Sequence, residues 1–144
     1  MHFGSYLSLL PVLGISVLAW SPPSYDGYRL VWSDAFTGFS GSLPNENNWN
    51  IITGNLGVNN ELEIYTRDPR KWQHSGGDTL QIVPWKDRST WTSGRIESTY
   101  TFTLKAGDRT VAEARIRFGS NDIGAKAGQT PALWLIGDSI RSGT

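Results

Sequence analysis

Apolar residues along this chain gather in short runs separated by Gly, Asn, Asp and Ser, the pattern of strands joined by turns. The runs are YRLVW over 28–32, WNII from Trp49, LEIYT from Leu62, LQIVPW from Leu80, a long run over 95–104, another over 111–118, and ALWLI over 132–136. No run collects many strong helix formers, so helices are expected to be scarce and the domain all-β. There is no internal repeat, low-complexity tract or convincing linker.

Two of these runs fix each other's faces by parity. In RIESTYTFTL the apolar set is Ile96, Tyr100, Phe102 and Leu104, and Arg95, Glu97, Thr99, Thr101 and Thr103 point the other way. In VAEARIRF, Ala112, Ala114, Ile116 and Phe118 oppose Glu113, Arg115 and Arg117. A hairpin turning on KAGDR must keep like faces together, because a one-residue slip would drive the charged face into the core. A loop of Ala106, Gly107 and Asp108 would set Glu97 across from Arg117 and Thr101 across from Glu113. The resulting lattice of Arg, Glu and Thr suits either a solvated outer face or the floor of a polar cleft.

The chain opens differently. Residues 3–19 are almost wholly apolar, broken by Pro11, and end in VLA, with Val17 and Ala19 small enough for the positions before a cleavage site. We read residues 1–19 as a secretory signal peptide and 20–27, which include SPPSYDG, as a flexible lead-in. The apolar run falls short of the roughly 20 residues that span a bilayer. The expected location is secreted, extracellular or in the cell wall, with no membrane association after cleavage.

Composition narrows the function classes. Lys plus Arg and Asp plus Glu both number 13 in 144 residues, giving zero formal charge, and the basic residues are scattered, so no nucleic-acid partner is expected. There are no cysteines; a secreted domain without disulfides depends on core burial for its stability. No cofactor and no metal is called for. Seven Trp and five Tyr raise a specific possibility, since sugars are held by flat aromatic surfaces against pyranose C–H faces and by fixed donors and acceptors at the hydroxyls. GVNNELEIYT carries Asn59, Asn60, Glu61, Glu63 and Tyr65; WTSGRIES carries Trp91, Arg95 and Glu97; PALWLIG carries Trp134. Each has a plainer role open to it: Asn59 or Asn60 in a turn, Trp134 in the core, Arg95 paired with a neighbouring carboxylate.

The ordered series YRLVWSDAF, NNWNI, GNLGVNNELEIYT, GGDTLQI, TSGRIES, VAEARIRFG and PALWLIGDSIRSGT resembles glycoside hydrolase family 16, in particular its fungal endo-1,3(4)-β-glucanase branch. The resemblance covers nearly all of residues 28–144. It implies a concanavalin-like β-jelly-roll sandwich with a long cleft for β-glucan polysaccharide, here the N-terminal portion of the domain with the C-terminal strands missing. By the same resemblance Asn59, Asn60, Glu61, Arg95 and Trp134 are substrate-binding candidates.

In that family a strand bearing Glu-x-Asp-x-x-Glu or Glu-x-Asp-x-Glu follows the segment like PALWLIGDSIRSGT and carries the nucleophile and the acid/base. Retaining hydrolysis needs two carboxyl groups about 5 to 5.5 Å apart, and this sequence contains neither family carboxylate. Glu61 and Glu63 stand two apart on one expected strand, about 7 Å between Cα atoms, but the matching family positions form cleft wall. No catalytic residue is assigned. Ala35 stands where the family usually has an acidic residue, and Thr130 and Leu133 where Trp and Phe are common. The expected function is a secreted β-glucanase that is inactive as this chain stands; the alternative is a non-catalytic glucan-binding or wall-associated module. Export is directly testable: N-terminal sequencing or mass analysis of secreted material should find a chain beginning near Trp20, and an intact Met1 terminus would refute the signal peptide.

Overall fold

The computed structural model describes residues 21–120, Asp122, Gly124 and residues 132–137. The signal peptide expected over 1–19 lies outside them. Seven strands are present: β1 (Trp49–Ile52), β2 (Glu63–Tyr65), β3 (Trp72–His74), β4 (Leu80–Ile82), β5 (Trp85–Asp87), β6 (Thr90–Ser93) and β7 (Arg95–Ser98). The chain is all-β, as its alternating runs require. β1 pairs antiparallel with β7, and β3 antiparallel with β4. A three-stranded sheet has the order β2-β6-β5, with β2 parallel to β6 and β5 antiparallel to it. A bridge between Gly54 and Tyr65 joins the exit of β1 to β2.

The packing is aromatic. Phe36 stacks on Trp49 with centroids 5.4 Å apart, Trp32 meets Trp49 edge-on at 5.4 Å, and Tyr100 stacks on Trp32 at 5.9 Å and on Phe102 at 6.2 Å. Such pairs contribute about 0.5 to 1.5 kcal/mol each beyond the area they bury. The Asp34 carboxylate accepts hydrogen bonds from Trp49 Nε1 at 2.7 Å, Asn48 Nδ2 at 3.0 Å and the Phe36 amide at 2.7 Å. One side chain therefore ties the 34–36 segment to the start of β1. On β3, His74 is 5% exposed; its Nδ1 lies 3.0 Å from Ser42 Oγ, and its amide donates to the Ser42 carbonyl. Gly38 packs so closely on the imidazole that an added Cβ would stand 2.5 Å from Nδ1, which demands glycine there.

Several expected strands take another form. WNII, LEIYT and RIES hold strands, but residues 28–32 form none, LQIVPW is divided between β4 and β5, and β3 and β6 arise where no strand was expected. The long run over 95–104 is a strand only to Ser98, and it pairs with β1, not with 111–118. After Thr99, whose amide and hydroxyl bond the Asn48 and Asn47 carbonyls, the ladder stops.

The KAGDR turn does form, but with two central residues in place of three. The Asp108 amide donates to the Lys105 carbonyl at 3.0 Å, and Gly107 has φ 92°, the pattern of a type II turn. Type II turns splay the flanking strands instead of twisting them together, and two central residues set Tyr100 against Glu113, breaking the parity match. No ladder follows, so the expected pairs Glu97 with Arg117 and Thr101 with Glu113 are not made. Residues 111–118 and 132–136 are likewise not strands.

Burial is correspondingly sparse. Among the described residues Tyr65, 8% exposed, is the one buried large hydrophobic, while Phe102, Ile116, Phe118 and Leu135 are exposed, the last at 71%. Each apolar side chain left in water forgoes about 1.5 to 3 kcal/mol of burial, and unpaired extended segments with such faces template association. The purified chain should therefore bind a hydrophobic dye and elute from a sizing column as associated species, and an Ile116→Lys, Phe118→Lys variant should shift toward monomer. A monomeric, dye-silent parent chain would contradict this.

Candidate functional site

Arg95 is the residue around which the site is built. The β1–β7 register sets it opposite Ile52, and the two-residue strand period puts Glu97 on the same face. Glu97 Oε1 accepts from Arg95 Nη2 at 3.1 Å and Nε at 3.3 Å, and both side chains are about one-fifth exposed. The guanidinium also lies near two rings, with Cζ 5.6 Å from the Trp134 centroid and 5.8 Å from that of Tyr65. Cation–π attraction to both rings and a carboxylate along one edge hold the fork in place.

A cavity of about 500 Å³ opens beside this group. Arg95, Glu97, Asn59 and Trp134 supply its polar and aromatic surface, and Ile52, Leu56 and Val58 part of its apolar wall. Trp134 is 56% exposed, so most of its indole is free to meet a ligand. The structure thus brings together Asn59, Arg95 and Trp134 from three separate segments. Asn60 and Glu61 do not line the cavity. Asn59 and Asn60 have φ 51° and 57°, and the Glu61 amide closes the turn onto the Val58 carbonyl at 2.9 Å. Positive φ at both central positions is the type I′ turn, which Asn tolerates better than most residues. Both Asn are therefore turn residues, and Asn59 serves the cavity as well.

Glu61 is engaged elsewhere. Tyr65 Oη stands 3.0 Å from Glu61 Oε2 and 3.1 Å from Glu63 Oε1, so the phenol's one proton is shared between two carboxylates. The strand begins only at Glu63, yet the two Glu side chains still converge through this hydroxyl. Burial first, and then the bonds to Glu61 and Glu63, push the Tyr65 phenol up to about 12. Glu97 stood in the sugar-recognition set read from WTSGRIES but not among the candidates drawn from the resemblance, and the apolar wall was not expected. Leu56 and Val58 reach the cavity through a loop that has no periodicity to read.

No protein-family model matches the chain, and no curated protein matches it. Solved structures do. An endo-1,3-β-glucanase from Streptomyces sioyaensis superposes with a TM-score of 0.53 and 34% identity, covering 57% of this chain and 32% of its own. This chain is similar to the family 16 β-glucanases. A glycosyl hydrolase family 16 protein from Mycobacterium smegmatis matches at 0.45 and 26%, covering 49% and 34%, and a pseudo β-1,3-glucanase of Mycobacterium tuberculosis at 0.46 and 16%, covering 49% and 33%. The chain spans about a third of the length of these glucanase structures. Its fold class is that of the jelly-roll sandwich expected from sequence, matched over part of the domain.

The Tyr65 phenol gives a pH signature. Its folded value lies above the ordinary tyrosine value of about 10, so the native state holds a proton that the unfolded state releases between pH 10 and 12. The corresponding stabilisation is complete below pH 10 and is lost as pH rises toward 12. Alkaline difference spectroscopy on the folded chain should find a tyrosine ionising near pH 12, and Tyr65→Phe should remove that step and flatten the alkaline decline in unfolding free energy. An unchanged titration in Tyr65→Phe would refute the assignment.

Proposed function

We propose that this chain forms the β-glucan-binding wall of a secreted, cell-wall-active β-glucanase of the family 16 type. The observation that carries the reading is the convergence of Arg95, Asn59 and Trp134 on one cavity. Trp134 offers an apolar face to the C–H side of a pyranose ring, while Arg95 and Asn59 reach its hydroxyls. Glu97 keeps the Arg95 fork oriented, so little side-chain freedom is lost on binding. The Streptomyces glucanase, at 34% identity, supports a β-1,3-linked glucan as the polymer.

The residues of this chain bind and do not hydrolyse. Acid protonation of the leaving oxygen and nucleophilic attack need two carboxyl groups about 5 to 5.5 Å apart across the scissile bond. Glu61 and Glu63 are the pair that comes together here, but both are occupied with Tyr65, and neither lines the cavity. A non-catalytic glucan-binding module is the reading that this same observation favours for the chain by itself.

In affinity electrophoresis through laminarin the parent chain should be retarded, and Trp134→Ala or Arg95→Ala should weaken retardation about tenfold in apparent affinity, the scale of one lost stacking or charged hydrogen-bond contact. Reducing-end assays on laminarin and mixed-linkage β-glucan should stay at the blank. Turnover abolished by Glu61→Gln or Glu63→Gln would overturn the non-hydrolytic reading, and laminarin retardation unaffected by both cavity substitutions would overturn the proposed wall.

A further inference from the structure

A second depression, of about 860 Å³, lies apart from the one beside Arg95. It lies on the β5–β6 hairpin, and its construction follows from strand parity. Trp85 pairs with Thr92 and Asp87 with Thr90, so these four side chains share one face. Lys86 pairs with Trp91, with its Nζ 5.1 Å from the Trp91 ring centroid on the opposite face. Through the β2–β6 register, Glu63 and Tyr65 belong with Trp91 and Ser93 on that opposite face. The depression at Trp85 is therefore turned away from the face that contacts Arg95.

Its chemistry has the same composition as a sugar subsite. Trp85 is 53% exposed, and the Lys71 ammonium sits 4.4 Å from its ring centroid, which steadies the indole and leaves over half of it open. Thr90, Thr92, Ser89 and Asp87 place hydroxyl and carboxylate groups around the indole. Arg70, bound to Asp68 through Nε and Nη2, and Arg88 bring guanidinium donors to the depression. Arg88 is held at φ 53° in the two-residue hairpin loop, a conformation that Gly or Asn would take with less strain. A long cationic side chain kept at that strained position points to a use for its guanidinium.

We propose that this face is a second carbohydrate-binding surface, specific for a neutral pyranose polymer and centred on Trp85 with Arg88 and Thr90 as hydroxyl partners. It rests on the proposed glucan binding only for the choice of polymer. A chain with two such surfaces on opposite faces holds a polysaccharide at two points, which raises its apparent affinity without any new contact in the cleft.

The experiment is laminarin affinity electrophoresis on the parent chain, Trp85→Ala, Arg88→Gly, Trp134→Ala and the Trp85→Ala, Trp134→Ala double variant, with circular dichroism and thermal melts on each. Trp85→Ala should lower apparent affinity about tenfold, and the double variant should lose the retardation that Trp134→Ala retains. Arg88→Gly should bind more weakly while melting no lower than the parent, because the strain is relieved; this separates lost contact from lost folding. Retardation unchanged in both Trp85→Ala and Arg88→Gly would overturn the second surface and leave the cleft reading standing. Retardation lost in Trp85→Ala but untouched in Trp134→Ala would uphold the second surface and sink the cleft. A parent chain that laminarin does not retard would overturn both.

Discussion

The antiparallel ladder between β1 and β7 is the constraint on which the candidate site depends. Its register runs from Trp49 opposite Ser98 to Ile52 opposite Arg95, and strand periodicity leaves no intermediate setting. A slip of one residue would carry Arg95 and Glu97 to the other face and bring Ile96 to the cavity. The ladder is fixed at its far end by Asp34, which holds Trp49 and Asn48 through their side chains. Charge-assisted bonds of this sort are worth about 1.5 to 3 kcal/mol each, more than the exposed pairs Arg67 with Glu46 or Arg70 with Asp68, which solvent screens. Asp34 thus governs the position of Arg95 from a distance: it anchors β1, and β1 aligns β7.

Little else in the described residues over-determines the fold. The aromatic column from Phe36 to Phe102 runs outward from β1 and ends at a half-exposed ring, and Ile116, Phe118 and Leu135 stay exposed. A β-sandwich gains its stability from two inner faces packed about 10 Å apart; here the polar site is assembled more completely than the apolar core. The two are separable because the site relies on the β1–β7 register, an Asn turn and an intra-strand ion pair, none of which needs a second sheet.

What the sequence made legible follows the same division. Period-two alternation placed Arg95 and Glu97 on one face, the adjacent Asn59 and Asn60 marked the turn before β2, and Trp134 in its small apolar run was the visible aromatic candidate. These signals are local. The strands TWTS and WQH escaped notice because short polar runs carry no alternation, and their pairing is decided by partners at β5 and β4. The KAGDR hairpin failed for a reason that sequence leaves open: the same residues close either a three-residue loop or a type II turn, and only the former keeps apolar faces together. Glu61 was chosen for its chemistry but is committed to Tyr65. The Trp85 depression was illegible because Lys71 and Trp85 are brought together only by the fold.

Tyr65 shows how the separate pieces come to share one geometry. Its backbone exchanges two hydrogen bonds with Gly54, just beyond β1; its ring lies against Arg95 from β7; and its hydroxyl gathers Glu61 and Glu63 beneath the Asn turn. Burial, and then the bonds to those carboxylates, make the phenol costly to ionise, and its ring stands against the guanidinium while its hydroxyl holds the two Glu side chains. Arg95 itself pairs with Glu97 and faces the Trp134 ring. Tyr65 thus joins the exit of β1, the strand β2 and the Arg95 side chain of β7 at one point.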